Sequence, residues 1–127
     1  MGTQQLLLLA VAFVVVVLMI FAGTSIFNSY LQTTNRDNLL ATMNLMANQA
    51  QQYYRKPTNL GGGGNTFDGF TAPDKLLQAD YGRIRVRIRN NRINLVGIGV
   101  ETGYDGQAVV RVRAVVRPDR VDVTIIN

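Results

Sequence analysis

LLLLAVAFVVVVLMIFA, residues Leu6–Ala22, is a run of seventeen residues without one polar side chain. Ile26 and Phe27 carry its apolar character past Gly23-Thr24-Ser25. A helix needs about 20 such residues to cross the hydrocarbon of a bilayer. Hydrophobic on every side, it has to lie in lipid or inside a protein core of the same character, and a chain of 127 residues is too short to wrap it. It does not read as a cleaved secretory signal. Met1-Gly-Thr-Gln-Gln5 holds no Lys or Arg, no A-x-A site follows, and the helical pattern continues beyond. Leu6 also stands where a myristoylation signal needs Ser or Thr. The flanks carry little of the Lys/Arg bias that would orient a plain anchor.

Downstream the pattern turns amphipathic. Leu39, Met43, Met46, Ala50 and Tyr53 are spaced 4-3-4-3, and Leu40, Ala47 and Tyr54 form a parallel row seven apart. That is a helical stripe, with Asn, Gln, Thr and Arg36-Asp37 assigned to the opposite face. Pro57 is the first proline, and the residue before a proline is pushed out of the helical region. The pattern therefore predicts one helix of about 54 residues, roughly 80 Å long. Residues 1–27 are its apolar half and 28–56 its amphipathic half. A local distortion is expected at Gly23-Thr24-Ser25, where glycine weakens the helix and hydroxyls compete for backbone partners.

Residues 57–80 connect this helix to the rest. Four consecutive glycines, Gly61–Gly64, lack the preceding strand and the following Gly-Lys-Ser/Thr of a phosphate cradle. They read as a tight loop anchored by Leu60, Phe67 and Phe70, with one short helical turn within 73–79. From Tyr81 a period of two begins. Ile84, Val86 and Ile88 alternate with Arg83, Arg85, Arg87 and Arg89. A two-residue turn at Asn90-Asn91 sets Ile88 opposite Ile93 and Val86 opposite Leu95. The phase slips at Leu95-Val96, which implies a bulge there or burial on both faces. Val110, Val112, Ala114 and Val116 alternate with Arg111, Arg113 and Arg117, and after Pro118-Asp119 Val121, Val123 and Ile125 are expected to finish the core face, with Asp122 and Thr124 outward. The expected class is α+β, with a four-stranded antiparallel meander over 81–127. So small a sheet needs a partner for its core. The stripe Leu39, Met43, Met46, Ala50, Tyr53 and Tyr54 is the partner expected for it.

Composition narrows function. The chain has no His, no Cys and no Trp, and a single Glu. That removes disulfides, thiolate chemistry, imidazole bases, haem ligation and Cys/His metal sites. No enzyme, cofactor or metal is expected. No charge precedes Arg36, residues 1–80 balance four cations against four anions, and residues 81–127 hold nine Arg against four acids, so the net charge of +5 lies in the sheet. Arg83, Arg85, Arg87 and Arg89, flanked by Arg111 and Arg113, have two readings. One is a solvated face that keeps strand edges from pairing. The other is a surface that tracks the charges of DNA or another anionic polymer.

A long N-terminal helix, apolar in its first half, with a small sheet on its second, resembles the type IV pilins and the related pseudopilins. The resemblance is carried by residues 1–56 and rests on pattern. It implies a short leader cut by a prepilin peptidase, with Met1 as the first mature residue. It also implies an inner-membrane pool of subunits and a pilus assembly machinery. The product would be an extracellular filament with apolar half-helices bundled at its core. The chain departs from the family in three ways. Most members carry Glu where this chain has Gln5, many carry a helix-breaking proline near Gly23, and many close a C-terminal disulfide loop. The residues expected to assemble are Met1, Gln4, Gln5, Leu6, Leu9, Phe13, Val17 and Phe21, with Gln4 or Gln5 meeting the N-terminal region of a neighbouring subunit. The expected function is a structural, homopolymeric filament subunit. The alternative is a single-pass anchored surface protein whose basic sheet binds nucleic acid or anionic polymer.

Overall fold

The computed structural model of the chain describes residues 2–127. They fall into two compact units, one ending at Leu31 and one running from Gln32 to Asn127. Helix α1, Gly2–Arg55, belongs to both. Its first part contains the whole apolar run. The expected distortion at Gly23-Thr24-Ser25 is not there, because the helix is unbroken through these residues. The Thr24 hydroxyl donates back to the carbonyls of Ile20 and Phe21, so it joins the helical hydrogen-bond pattern instead of competing with it. One glycine costs about 1 kcal/mol in a helix interior, which so long an apolar helix absorbs without a break.

The second unit is an α+β fold. After α1 come a 3-10 turn, Thr58–Leu60, and a short helix α2, Asp74–Leu77. An antiparallel meander follows: β1 Gln78–Ala79, β2 Gly82–Ile88, β3 Ile93–Thr102, β4 Val109–Val116 and β5 Val121–Ile125. The sheet thus has five strands where four were expected. The extra one is a two-residue edge, Gln78 and Ala79 pairing with Arg83 and Gly82. Gly82 supplies the reversal with φ 142°, a region that side chains disfavour.

Ile88 lies opposite Ile93 and Val86 opposite Leu95, and Arg89 N–H donates to Arg92 O at 2.9 Å across Asn90-Asn91. No bulge occurs at Leu95-Val96. The register is continuous from Ile93 to Ile98, and the irregularity lies between Ile98 and Thr102. The inward positions after Leu95 are Gly97 and Gly99, while Val96 and Ile98 point to the other face and are half-buried. With glycine on the core side and valine outside, the alternation only looks inverted.

Those glycines let α1 lie directly on β3. A Cβ at Gly97 would sit 3.0 Å from Met43 Sδ and 3.5 Å from Leu39 Cδ2, and one at Gly99 would overlap Asn35 Oδ1. Leu39, Met43, Met46 and Ala50 are buried against Ile84, Ile93, Leu95, Val112, Ala114 and Val116. Val123 and Ile125 of the edge strand β5, expected on the core face, are instead 43% and 47% exposed, since among the described residues no further strand or helix covers that edge. Each large side chain so buried contributes about 1.5–3 kcal/mol relative to exposure. Asn35, Arg36 and Thr42 are also buried, which corrects the assignment of these polar residues to the solvent face. Asn35 is held by the sheet irregularity. Its Nδ2 donates to Tyr81 O at 2.5 Å, and its Oδ1 accepts from the N–H groups of Val100 and Glu101 at 3.2 and 3.4 Å. The side chain thereby replaces ladder bonds that β4 does not make there. Thr42 bonds to Asn38 O and the Tyr81 hydroxyl. Arg36, 4% exposed, donates from Nη2 to Asn127 O at 3.2 Å, with its guanidinium carbon 4.0 Å from the centre of the Tyr104 ring.

The glycine loop returns onto the end of α1. Gly63 and Asn65 N–H groups donate to Tyr53 O and Tyr54 O, both at 2.8 Å, and Gly64 N–H donates to Lys56 O at 3.0 Å. These bonds satisfy carbonyls that a helix end leaves open. A Cβ at Gly63 would overlap Thr66 O. Phe67 and Phe70 are buried, but Leu60 is 62% exposed and anchors nothing. Tyr54 meets Phe67 at 4.7 Å and Tyr53 meets Phe70 edge-on at 5.6 Å, so the ring partners of both tyrosines lie in the loop.

Replacing Asn35 with Leu keeps the volume and strands two N–H groups and one carbonyl. The expected loss is about 2–5 kcal/mol, read from urea unfolding of the full-length chain in detergent. A loss under about 0.5 kcal/mol would remove Asn35 from this role.

Candidate assembly helix and arginine face

The first candidate surface is the early part of α1. Gln4, Gln5, Leu6, Leu9, Phe13 and Phe21 are exposed and Val17 is half-exposed; Met1 lies outside the described residues. Leu6, Leu9, Phe13, Val17 and Phe21 follow one another at spacings of 3, 4, 4 and 4, which keeps them on one side of the helix. The helix is long and apolar enough to cross a membrane, and none of its apolar window is buried within the fold. Seventeen apolar side chains, at about 1–2 kcal/mol each in water, outweigh the roughly 5–15 kcal/mol that stabilises a domain. The cover must come from outside the chain.

The second surface is the outward side of the sheet. The inward residues of β2 are Ile84, buried, and Val86 and Ile88, half-buried; Arg83, Arg85, Arg87 and Arg89 are exposed on the opposite side, as are Arg111 and Arg113 of β4. Register joins the two rows. Val96 has Arg85 opposite it on one side and Arg113 on the other, and Ile98 has Arg83 and Arg111. At about 4.8 Å between strands and 3.3 Å per residue, the arginine columns stand roughly 10 Å apart, with heads about 7 Å apart along each. Between them runs an aliphatic floor, Val96 and Ile98, ending in a shallow cavity of about 300 Å³ beside Arg83, Ile98 and Val100.

Arg92 belongs to the same face, because Arg89 N–H bonds to Arg92 O across the turn. The Asn90-Asn91 turn already implied that pairing, and sequence reasoning passed over it. Among the described residues, ion pairs form only from Arg117 and Arg120 to Asp122, at 3.7 and 3.5 Å. Asp122 stands on this same side, opposite Val115, but pairs only with Arg117 and Arg120, so the seven other arginines have no ion-pair partner among the described residues.

Acidic groups do not converge. No cluster of three or more His, Cys, Asp or Glu side chains that could hold a metal occurs among the described residues. Asp105 sits in the β3–β4 loop, where its Oδ1 accepts from Gln107 N–H at 2.9 Å, Ala108 N–H at 3.0 Å and Asn127 Nδ2 at 3.2 Å. The Gln107 and Ala108 amides hold its carboxyl below the ordinary 3.8 against an opposing effect of burial, with the Asn127 amide adding to them. Comparison with protein-family models, curated proteins and solved structures returns no match to the chain.

The face assignment has a direct check. Ile84→Ala is expected to cost about 2–4 kcal/mol, and Arg85→Ala to stay within about 0.5 kcal/mol, in the same unfolding assay. Equal losses would mean the register is wrong. For Asp105 the depressed value means the loop tether is complete above pH 3.8 and is lost as pH falls through the lower folded value. Carboxyl NMR should show Asp105 titrating below 3.8, with the Gln107 and Ala108 amides moving at the same midpoint. Asn127→Ala should raise that midpoint.

Proposed function

We propose that this protein is the structural subunit of an extracellular helical filament, held in the inner membrane before assembly and polymerised by bundling of residues 1–27. The observation that carries the reading is that Leu6–Ala22 is helical and has no buried residue, while the same helix α1 goes on to form the core of the second unit. A plain anchor needs only about 20 apolar residues. A helix that serves both as anchor and as fold core suits lateral packing among identical copies. The resemblance of residues 1–56 to type IV pilins points the same way and supplies the processing peptidase and assembly machinery. Lipid is as apolar as the helix, so extraction from it brings little hydrophobic gain. Close packing and polar contacts near the N-terminus then have to favour the polymer. Gln4 and Gln5 can accept a hydrogen bond from a neighbour's terminal amine, which would otherwise be buried without a partner.

Val15→Asp separates filament from anchor. A carboxylate near the middle of the run costs about 2.5–3.5 kcal/mol for insertion in lipid, which an apolar helix of this length tolerates. In a dry bundle of helices every copy would add one unpaired charge. Wild-type cells should shed filaments visible by negative stain and composed of this chain. The variant should keep its membrane fraction and lose filaments at least tenfold. Normal filament abundance with Val15→Asp, or wild-type material with no filaments, would leave the anchored-protein reading in its place.

A further inference from the structure

We propose that the outward face of the sheet binds double-helical nucleic acid through its phosphates, without base preference. The proposal stands whether α1 is packed in a filament or held in lipid, since it uses only residues of the second unit.

Three observations carry it. The first is the choice of cation. The seven positive side chains of the face that lack an ion pair are all arginine, and the two lysines of the chain, Lys56 and Lys75, lie outside the strands. A solvated face needs only charge, which lysine supplies as well. Arginine adds a planar fork that grips phosphate oxygens in pairs. The second is the lack of internal neutralisation. Asp122, on the same side opposite Val115, is taken by Arg117 and Arg120, and the seven other arginines are left facing outward.

The third is dimension. Arg83 to Arg89 spans about 20 Å along β2, and the second column lies roughly 10 Å away. A duplex carries one charge per about 1.7 Å of axis, hence roughly twelve over the same length, about half of them on the side turned toward a flat surface. That number is close to the seven guanidinium groups opposite. Val96 and Ile98 between the columns give the arginine stems an apolar bed, along which long side chains lie with their heads raised.

A single strand fits the face less well. Proteins that hold unpaired bases stack them on aromatic rings, and the outward positions of β2, β3 and β4 carry none. Tyr81 turns its hydroxyl to Thr42, and Tyr104, though exposed, is a lone ring in the β3–β4 loop and not on the strands.

Fluorescence polarisation of a labelled duplex of about 20 base pairs with the full-length chain in zwitterionic detergent tests the proposal. The logarithm of the binding constant should fall against the logarithm of salt concentration with a slope of about −4 to −6, and duplexes of unrelated sequence should agree within about threefold. Arg85→Gln combined with Arg113→Gln, which flank Val96, should weaken binding roughly 10- to 100-fold and lower the slope by about 2. Arg87→Gln with Arg111→Gln should repeat the result. Lys56→Gln with Lys75→Gln removes the same net charge elsewhere and should leave binding within about threefold. Equal loss in the lysine and arginine pairs would reduce the effect to net charge and overturn the proposal. So would tighter binding to a single strand of the same length, tighter binding to a polyuronate at equal charge, or no binding at about 50 mM salt.

Discussion

Gly97 and Gly99 set how near α1 can lie to the sheet, and most of the second unit follows from that approach. A Cβ at Gly99 would overlap Asn35 Oδ1, and one at Gly97 would press on Met43 Sδ at 3.0 Å. With none there, the helical stripe sits on β3 and the strands beside it, and Phe67, Phe70, Leu76 and Leu77 close the rest of the core. Polar clips then fix the angle at which the stripe lands. Gln32 Nε2 donates to Thr102 O at 2.7 Å and Asn35 holds the irregular end of β3. Further along, Gln51 Nε2 donates to Arg117 O at 3.0 Å and Arg55 Nη2 to Pro118 O at 3.2 Å. Apolar burial supplies the energy, while hydrogen bonds at both ends of the stripe supply the direction.

Charge is sorted as strictly as hydrophobicity. No charged side chain precedes Arg36, and the arginines of the sheet all occupy one side of it. In a strand each residue's face is fixed by parity, so a slip of one residue would send Arg83, Arg85 and Arg87 toward α1. Burying those charges costs far more than any local gain could return, so the pattern that makes the face basic also locks the pairing. Arg36 is the exception. It is taken inside with a carbonyl and an aromatic face for company, a cost accepted where the C-terminal strand meets the helix.

The large elements were legible because each has a simple period. The helix announces itself by an apolar run that changes into a 4-3-4-3 stripe and stops before Pro57. The hairpin announces itself by Asn90-Asn91 between alternating segments. The rest depends on what lies across the fold. Asn35 and Arg36 look solvent-facing on a helical wheel, since a wheel cannot show that β3 loses its partner near Val100. Gly97 and Gly99 look like gaps in a hydrophobic pattern until the helix above them is in view. β1 has two residues and no pattern of its own, and Leu60 has the right chemistry for an anchor but not the right direction. The arginine rows could be read from alternation alone, whereas the aliphatic floor between them appears only once three strands are set in register.

A guanidinium keeps its proton at any pH a cell or its surroundings will reach, and the chain has no histidine to add a charge that varies near neutrality. A face built on lysine could be silenced by acetylation, and one built on histidine by a rise in pH. The face formed by β2, β3 and β4 has neither control. Its polarity is permanent, and it passes unchanged from an acidic medium to an alkaline one. Only screening by dissolved ions or a physical cover can hide it.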